Sequence, residues 1–355
     1  VPAKADDIAA ILYTSGTTGR SKGAMLSHDN LASNALTLHE SWGFEPGDVL
    51  LHALPVYHTH GLFVATNCVL LNGTGMLFLP RFDAATIMSL LPRATVFMGV
   101  PTYYTRLLAE PGFDAEACRN MRLFVAGSAP LLAETFTAFA ARTGHTVLER
   151  YGMTEAGMIT SNPLDGERVA GKVGPPLPGI EARVADEEGR ILGTDEIGVL
   201  EIRGPNLFKG YWRMPEKTAE EFRPDGFFIT GDMATIDRRG SVAIVGRTKD
   251  LIISGGLNVY PKEVELCIDE LDGVVESAVI GLAHPDFGEA VAAVVKAEDG
   301  AADEGAIIAT LKSEMAGFKV PKRVFFIDEL PRNPMGKVQK AVLRERYGNS
   351  FVAEG

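Results

Sequence analysis

Short apolar runs alternate with segments of helical periodicity as far as Tyr151. Runs at 8–13, 49–54, 75–79, 95–99, 123–126 and 147–149 predict buried strands. Between them, 29–42, 61–71, 83–91, 101–109 and 131–143 predict helices, with Asp83 as an N-cap and Pro101 in a first turn. Alternation of this kind predicts an α/β fold with a doubly wound, largely parallel sheet over residues 1–172. After Gly171 the rhythm changes to short runs at 180–185, 198–203 and 227–230, punctuated by Gly and Pro, which predicts a small β-rich subdomain over 173–248. A small α+β C-terminal domain is expected over 249–355, with helices at 261–271 and 304–315 and strands at 274–281, 290–296 and 323–327.

Charge and composition narrow the function classes. With 34 Lys+Arg against 46 Asp+Glu over 355 residues, the net charge is −12, and no basic run is present. Nucleic acid and membrane surfaces are therefore poor partners, and an anionic ligand must be held by local donors. No apolar run reaches the ~18 residues of a membrane span, and the N-terminus does not read as a signal peptide. Cys68, Cys118 and Cys267 lie far apart, which argues against a disulfide framework or zinc site and for a reducing, cytoplasmic setting.

The densest chemical signal is Tyr13-Thr-Ser-Gly-Thr-Thr-Gly-Arg-Ser-Lys-Gly23 after the first strand. Glycines and hydroxyl residues let backbone N–H groups approach phosphate oxygens, and Lys22 adds a point charge. The spacing does not fit a Walker P-loop, which puts Lys directly after its second Gly. A flexible Ser/Gly linker is the bland alternative, but a linker has no reason to join a buried strand to a helix so tightly.

At this motif the chain resembles the adenylate-forming superfamily of acyl-CoA synthetases, peptide-synthetase adenylation domains and luciferases. Further matches follow in the superfamily's order: Pro55-Val-Tyr-His-Thr-His-Gly61, Ala126-Gly-Ser-Ala-Pro130, Tyr151-Gly-Met-Thr-Glu155, Tyr211-Trp212, Phe228-Ile-Thr-Gly-Asp232, Gly246-Arg-Thr-Lys-Asp250, Gly255-Gly256 and Pro331-Arg-Asn-Pro-Met-Gly-Lys337. The resemblance implies an acid–thiol ligase using ATP, Mg²⁺ and CoA. By resemblance, Thr14, Ser15, Gly16, Thr17, Thr18, Gly19 and Lys22 cradle the β and γ phosphates. Thr154 touches the α-phosphate, Glu155 holds Mg²⁺, and Tyr151 stacks on adenine, with Ser128, Glu149, Arg150 and Gly152 beside the nucleotide. Asp232 and Arg247 match ribose-binding positions. Lys337 matches the lysine that reaches carboxylate and α-phosphate in the first step, Lys249 the hinge of a mobile C-terminal domain, and Gly255 and Gly256 the thiol channel.

The acid pocket is expected around His58, Gly127, Ser128 and Met153. His58 reads equally as a gate, a packed histidine or a substrate-orienting group. The wider pattern resembles malonate–CoA ligases. Malonate keeps a second carboxylate after the first is activated, and burying it unpaired costs several kcal/mol. An arginine fork would reverse that preference. Arg106 is the favoured candidate and Arg81 the second, against the alternative of a surface arginine.

The superfamily carries a long segment before the phosphate loop, and the chain starts without Met, so it reads as a truncated or cleaved ligase. Rival readings are a ligase for an aromatic, fatty or methylmalonic acid, and a peptide-synthetase adenylation domain. Lys337 also resembles the acetylation site of several acyl-CoA ligases, which implies a protein acetyltransferase and deacylase as partners; the alternative is an exposed lysine whose modification is silent.

Overall fold

The computed structural model describes residues 2–14, 22–298, 303–333 and 336–351. The chain divides into two compact units, Val1–Thr230 with Thr235–Ile244, and Gly231–Ala234 with Val245–Gly355.

The first unit opens with β1 (Ile8–Thr14) and β2 (Lys22–Ser27), paired antiparallel from Ile8 opposite Ser27 to Thr14 opposite Lys22. Here the structure corrects the expectation of a buried first strand leading to a helix. No residue of β1 is buried, Tyr13 is 67% exposed, and the element that follows is the antiparallel partner β2 rather than a helix. Short apolar runs carry no mark of burial, and in this one Ile8 and Ile11 are exposed along with Tyr13. Helix α1 (His28–Ser41) starts from Ser27, whose Oγ accepts from Asn30 N–H while Asn30 Oδ1 accepts from Ser27 N–H.

There follow β3 (Val49–His52), a π-helical turn (His60–Ala65), α2 (Thr66–Asn72), β4 (Gly75–Phe78), α3 (Ala84–Leu90), β5 (Val96–Gly99), α4 (Pro101–Leu108), β6 (Leu123–Ala126), α5 (Ala133–Thr143), β7 (Leu148–Met153) and β8 (Gly157–Ser161). Asp83 caps α3 and Pro101 opens α4, as expected. Among the described residues these strands form a six-stranded sheet in the order β4-β3-β5-β6-β7-β8, parallel except for the β7–β8 hairpin. Successive strand residues point to opposite faces. Leu50, Val96, Met98, Val125 and Leu148 therefore enter one core with Leu38 of α1, Trp42 at its C-cap and Cys68 of α2. Leu51, Phe97, Phe124 and Ala126 enter the other, with Ile87, Tyr104 and Phe139 of α3, α4 and α5. That is the doubly wound arrangement the alternation predicts. β4 is an edge strand, with Met76 and Phe78 exposed rather than buried.

The β-rich part contains β9 (Glu181–Ala185), β10 (Gly198–Arg203), α6 (Pro215–Glu220), β11 (Phe228–Ile236) and β12 (Val242–Arg247), with strand order β12-β11-β10-β9. The second unit holds β13 (Ile252–Ser254), β14 (Leu257–Val259), α7 (Pro261–Asp269), β15 (Val274–His284), β16 (Gly288–Ala297), α8 (Glu304–Glu314), β17 (Arg323–Phe326) and α9 (Lys340–Tyr347). Its sheet runs β14-β13-β16-β15, with β17 parallel to β16. α7 and α8 pack on one face, and Leu343 of α9 packs on the other. No helix among the described residues is long and apolar enough to cross a membrane.

Ser27 is fully buried, so its capping box is shielded from competing water. Ser27→Ala is expected to cost about 1–2 kcal/mol in urea unfolding, with the m-value unchanged.

Candidate functional site

The ends of β5, β6 and β7 converge on one arginine. β6 runs into Gly127 and Ser128, and β7 presents Glu149 and Arg150 to opposite faces. Arg150 shares the parity of Leu148, is 3% exposed, and has neither Nε nor Nη2 hydrogen-bonded. Burial pulls its pKa down to about 9, which leaves it cationic at neutral pH. A Cβ on Gly127 would meet the Arg150 guanidinium carbon at 2.4 Å, so only glycine lets the guanidinium lie across this strand end. Ser128 follows with φ +73°, a left-handed conformation uncommon for a serine.

His60, from the π-helical turn, brings Nδ1 to 3.4 Å from Ser128 Oγ. It is 1% exposed and its Nε2 has no partner. Burial first, then the charges of Arg150, His58 and His52, hold its pKa well below the usual value, so the ring is neutral. His52 is neutral too, its Nδ1 accepting from Leu54 N–H at 3.1 Å and its Nε2 facing Gly61 O at 3.0 Å. On the opposite face Glu149 is 5% exposed, and burial raises its carboxyl to about 8. Around Arg150 the protein thus holds one cation among neutral groups. An anion is what this arrangement can pair with.

A second cluster lies on β2, the β7–β8 turn and the segment flanking α6. Glu155 is buried, and its Oε1 accepts from Tyr211 O–H at 2.9 Å. Burial raises its pKa, opposed by the Tyr211 hydrogen bond and the charge of Lys22. Lys22 Nζ sits 3.0 Å from Glu221 Oε1 and 4.1 Å above the Tyr211 ring. Thr14 Oγ1, opposite Lys22 across the hairpin, is buried without a partner. Ser15, Gly16, Thr17, Thr18 and Gly19 lie outside the described residues. Among the described residues no group of three or more His, Cys, Asp or Glu could hold a metal. One carboxylate completed by phosphate oxygens and water suits Mg²⁺, so Glu155 fits the ion only together with a phosphate ligand.

Arg106 and Arg81 are both exposed. The charge of Arg106 acts on the Tyr103 phenol, and that of Arg81 on Asp83. His58 is half-buried, and Gly152, Met153 and Thr154 are half-buried along the end of β7 and its turn. Arg150 stood among the expected nucleotide contacts; its unpaired burial depends on Gly127 just past the end of another strand, which no local pattern reports.

In the second unit Arg247 Nε lies 2.7 Å from Asp232 Oδ1, and Asp232 is buried. Lys249 is exposed, and desolvation of its stem, then the charge of Arg247, lower its pKa. Gly255 and Gly256, at φ +59° and +81°, form the two-residue turn between β13 and β14, a hairpin geometry that by itself calls for residues with positive φ. Lys337 is exposed on a closed loop: its N–H donates to Asn333 Oδ1 at 3.0 Å, and its carbonyl accepts from Asn333 N–H at 2.9 Å.

The family model described as "AMP-binding enzyme" matches residues 1–212, and that of the "AMP-binding enzyme C-terminal domain" matches 263–337. A malonate–CoA ligase of Arabidopsis thaliana is 40% identical over 376 residues, covering 97% of this chain and 61% of its own length. The chain therefore spans about three-fifths of that relative. A feruloyl-CoA synthase of Amycolatopsis sp is 38% identical, covering 98% of this chain and 72% of the relative. The crystal structure of ATP-bound MatB from Rhodopseudomonas palustris is 63% identical with a TM-score of 0.97, covering 99% of this chain and 70% of that one.

A testable pH dependence follows from Glu149. Its carboxyl titrates near 8 when folded against about 4.5 when unfolded, so the folded state binds the extra proton. The stability this proton contributes is complete below pH ~4.5 and lost as pH rises through about 8. Glu149→Gln is expected to flatten the fall in stability between pH 5 and 8, a difference of the order of 3 kcal/mol in denaturant titrations.

Proposed function

The chain belongs to the AMP-binding enzyme family, and we propose that the protein is an ATP-dependent ligase joining malonate to CoA through an acyl-adenylate. In the first step a malonate carboxylate oxygen attacks the α-phosphorus, and the bond to pyrophosphate breaks. In the second the CoA sulfur attacks the acyl carbon, AMP leaves, and the thiol proton goes to solvent. Both encounters bring anions together, so alignment and charge neutralisation are the protein's main tasks.

The observation that carries the choice of acid is the buried, unpaired guanidinium of Arg150. A dicarboxylate has a second anion to give it, and a monocarboxylate leaves it bare. Nε and Nη2 are free to donate, with neutral His60 and Ser128 beside them. This reading moves the clamp from Arg106 or Arg81 to Arg150. Resemblance assigns Thr14, the phosphate loop and Lys22 to the β and γ phosphates, Thr154 to the α-phosphate, Glu155 to Mg²⁺, Tyr151 to adenine, and Asp232 with Arg247 to ribose. Mg²⁺, when bound, would neutralise phosphate charge. Lys337 would serve adenylation, Lys249 the hinge, and Gly255 and Gly256 the passage of the thiol arm. The free thiols suit a cytoplasmic setting. Similarity to a feruloyl-CoA synthase supports a second reading, a ligase for hydroxycinnamates.

Pyrophosphate exchange with a panel of acids decides between these: malonate is expected to drive exchange well above acetate, butyrate or ferulate. Arg150→Met is expected to lower kcat/KM for malonate roughly tenfold to a hundredfold or more, with the KM for ATP nearly unchanged. Because an unpaired buried charge is a burden to the fold, the same variant should melt at a higher temperature than the parent. Loss of malonate activity together with a lower melting point would count against the clamp.

Lys337→Ala should abolish acyl-AMP formation yet still convert supplied acyl-AMP to acyl-CoA. Lys249→Pro, which fixes φ, should spare one half-reaction and block the other. Exposed Lys337 is also the proposed target of an acetyltransferase and deacylase. Acetylation removes its charge, so the stoichiometrically acetylated enzyme should bind ATP but not adenylate.

A further inference from the structure

Glu221 is a residue no motif singles out. It sits at the C-terminal end of α6 and gathers the polar groups of the phosphate site. Its Oε1 lies 3.0 Å from Lys22 Nζ and 3.2 Å from Lys217 Nζ, and its Oε2 accepts from Tyr211 O–H at 3.3 Å. Tyr211 O–H also reaches Glu155 Oε1 at 2.9 Å, and the Tyr211 ring lies under Lys22. Glu155, Glu221, Lys22, Lys217 and the Tyr211 phenol are therefore connected, with Glu220 joined at the edge through Lys217. Lys217 has a further partner in Glu220 at 3.1 Å.

An ammonium already paired with a carboxylate is a weaker anion site than a bare one, because an incoming phosphate must displace that partner. An abandoned carboxylate is costly unless another cation remains beside it. Lys217 is that cation. We propose that Glu221 is a positioning residue for the nucleotide: it holds Lys22 until the triphosphate arrives, then releases it to the phosphates while Lys217 and Tyr211 retain the carboxylate. The exchange keeps each charge partnered throughout. It weakens ATP binding by the strength of the pair it breaks, and it makes the reverse step, recapture of Lys22, favour departure of pyrophosphate.

The inference rests on the reading of Lys22 as a phosphate ligand, and the test separates the two. Binding of a β,γ-imido ATP analogue with Mg²⁺ is measured by calorimetry on the whole protein, with AMP as the control lacking β and γ phosphates. Glu221→Gln keeps the size and the Tyr211 contact but frees Lys22; it should lower the Kd for the analogue about three- to tenfold, with AMP unchanged. Lys217→Met should raise the Kd for the analogue by a similar factor, because Glu221 then clings to Lys22. In the Glu221→Gln background, Lys217→Met should have no effect, since Lys217 acts only through Glu221. A Glu221→Gln variant that binds the analogue no more tightly than the parent overturns the proposal. So does a Lys217→Met penalty that persists in the double variant, which would mark Lys217 as a direct field on the phosphates. A parent protein that binds no analogue overturns the ligase reading, and this inference with it.

Discussion

A guanidinium held away from water with two of its nitrogens unpaired is the constraint around which the end of the parallel sheet is arranged. Such a charge is tolerated only where geometry leaves it nowhere else to go. Gly127 gives it room, since any side chain there would occupy the guanidinium's own position. The groups packed around it are the ones that burial can discharge. His60 and His52 stay neutral, and Glu149, one residue away along the strand, points to the other face and takes up a proton. Had Glu149 been ionised on the same face, Arg150 would have had a partner inside the protein and nothing to offer a ligand. The alternation of the strand keeps them apart.

The cluster around Tyr211 solves a different problem with similar groups. There no charge is left alone: Lys22, Lys217, Glu155 and Glu221 are joined through Tyr211. Such a network spreads its charges over shared partners, and in the proposed exchange it would answer an arriving anion by trading one partner for another. Arg150 answers an anion by gaining its first partner. The first arrangement suits a ligand that must come and go within one turnover, and the second suits a group whose absence should be penalised.

Much of this was legible in the sequence. The alternation of apolar runs with helical periods revealed the doubly wound sheet because both faces of each strand are covered, leaving continuous apolar runs such as Val96–Gly99. Asp83 and Pro101 marked helix starts because capping is a local matter. What stayed hidden was non-local. β1 read as buried because its composition is apolar, while exposure depends on what packs against it. β8, β12, β13 and β14 escaped notice because short hairpin partners carry little periodicity. Arg150 could be named but not understood, because its isolation depends on Gly127, His60 and Ser128 from separate elements. Glu221 gave no signal at all: one acidic residue among Glu216, Glu220 and Glu221 on a short polar helix becomes distinctive only when Lys22, 199 residues away in sequence, lies against it.

The choice between arginine and lysine at these positions follows from the same physics. Burial pulls the Arg150 pKa down from its ordinary, very high value to about 9, and the side chain remains charged near neutral pH. A lysine begins lower and would, after an equal fall, be partly discharged near neutral pH, so the site would lose its anion preference when empty. Lys22 lies beside a carboxylate, and Lys337 is exposed. A flexible ammonium costs little to move from one oxygen to another, while a planar fork is best kept where it is. In the proposed mechanism a charge that must be held is thus carried by arginine, and the charges that must be passed on are carried by lysine.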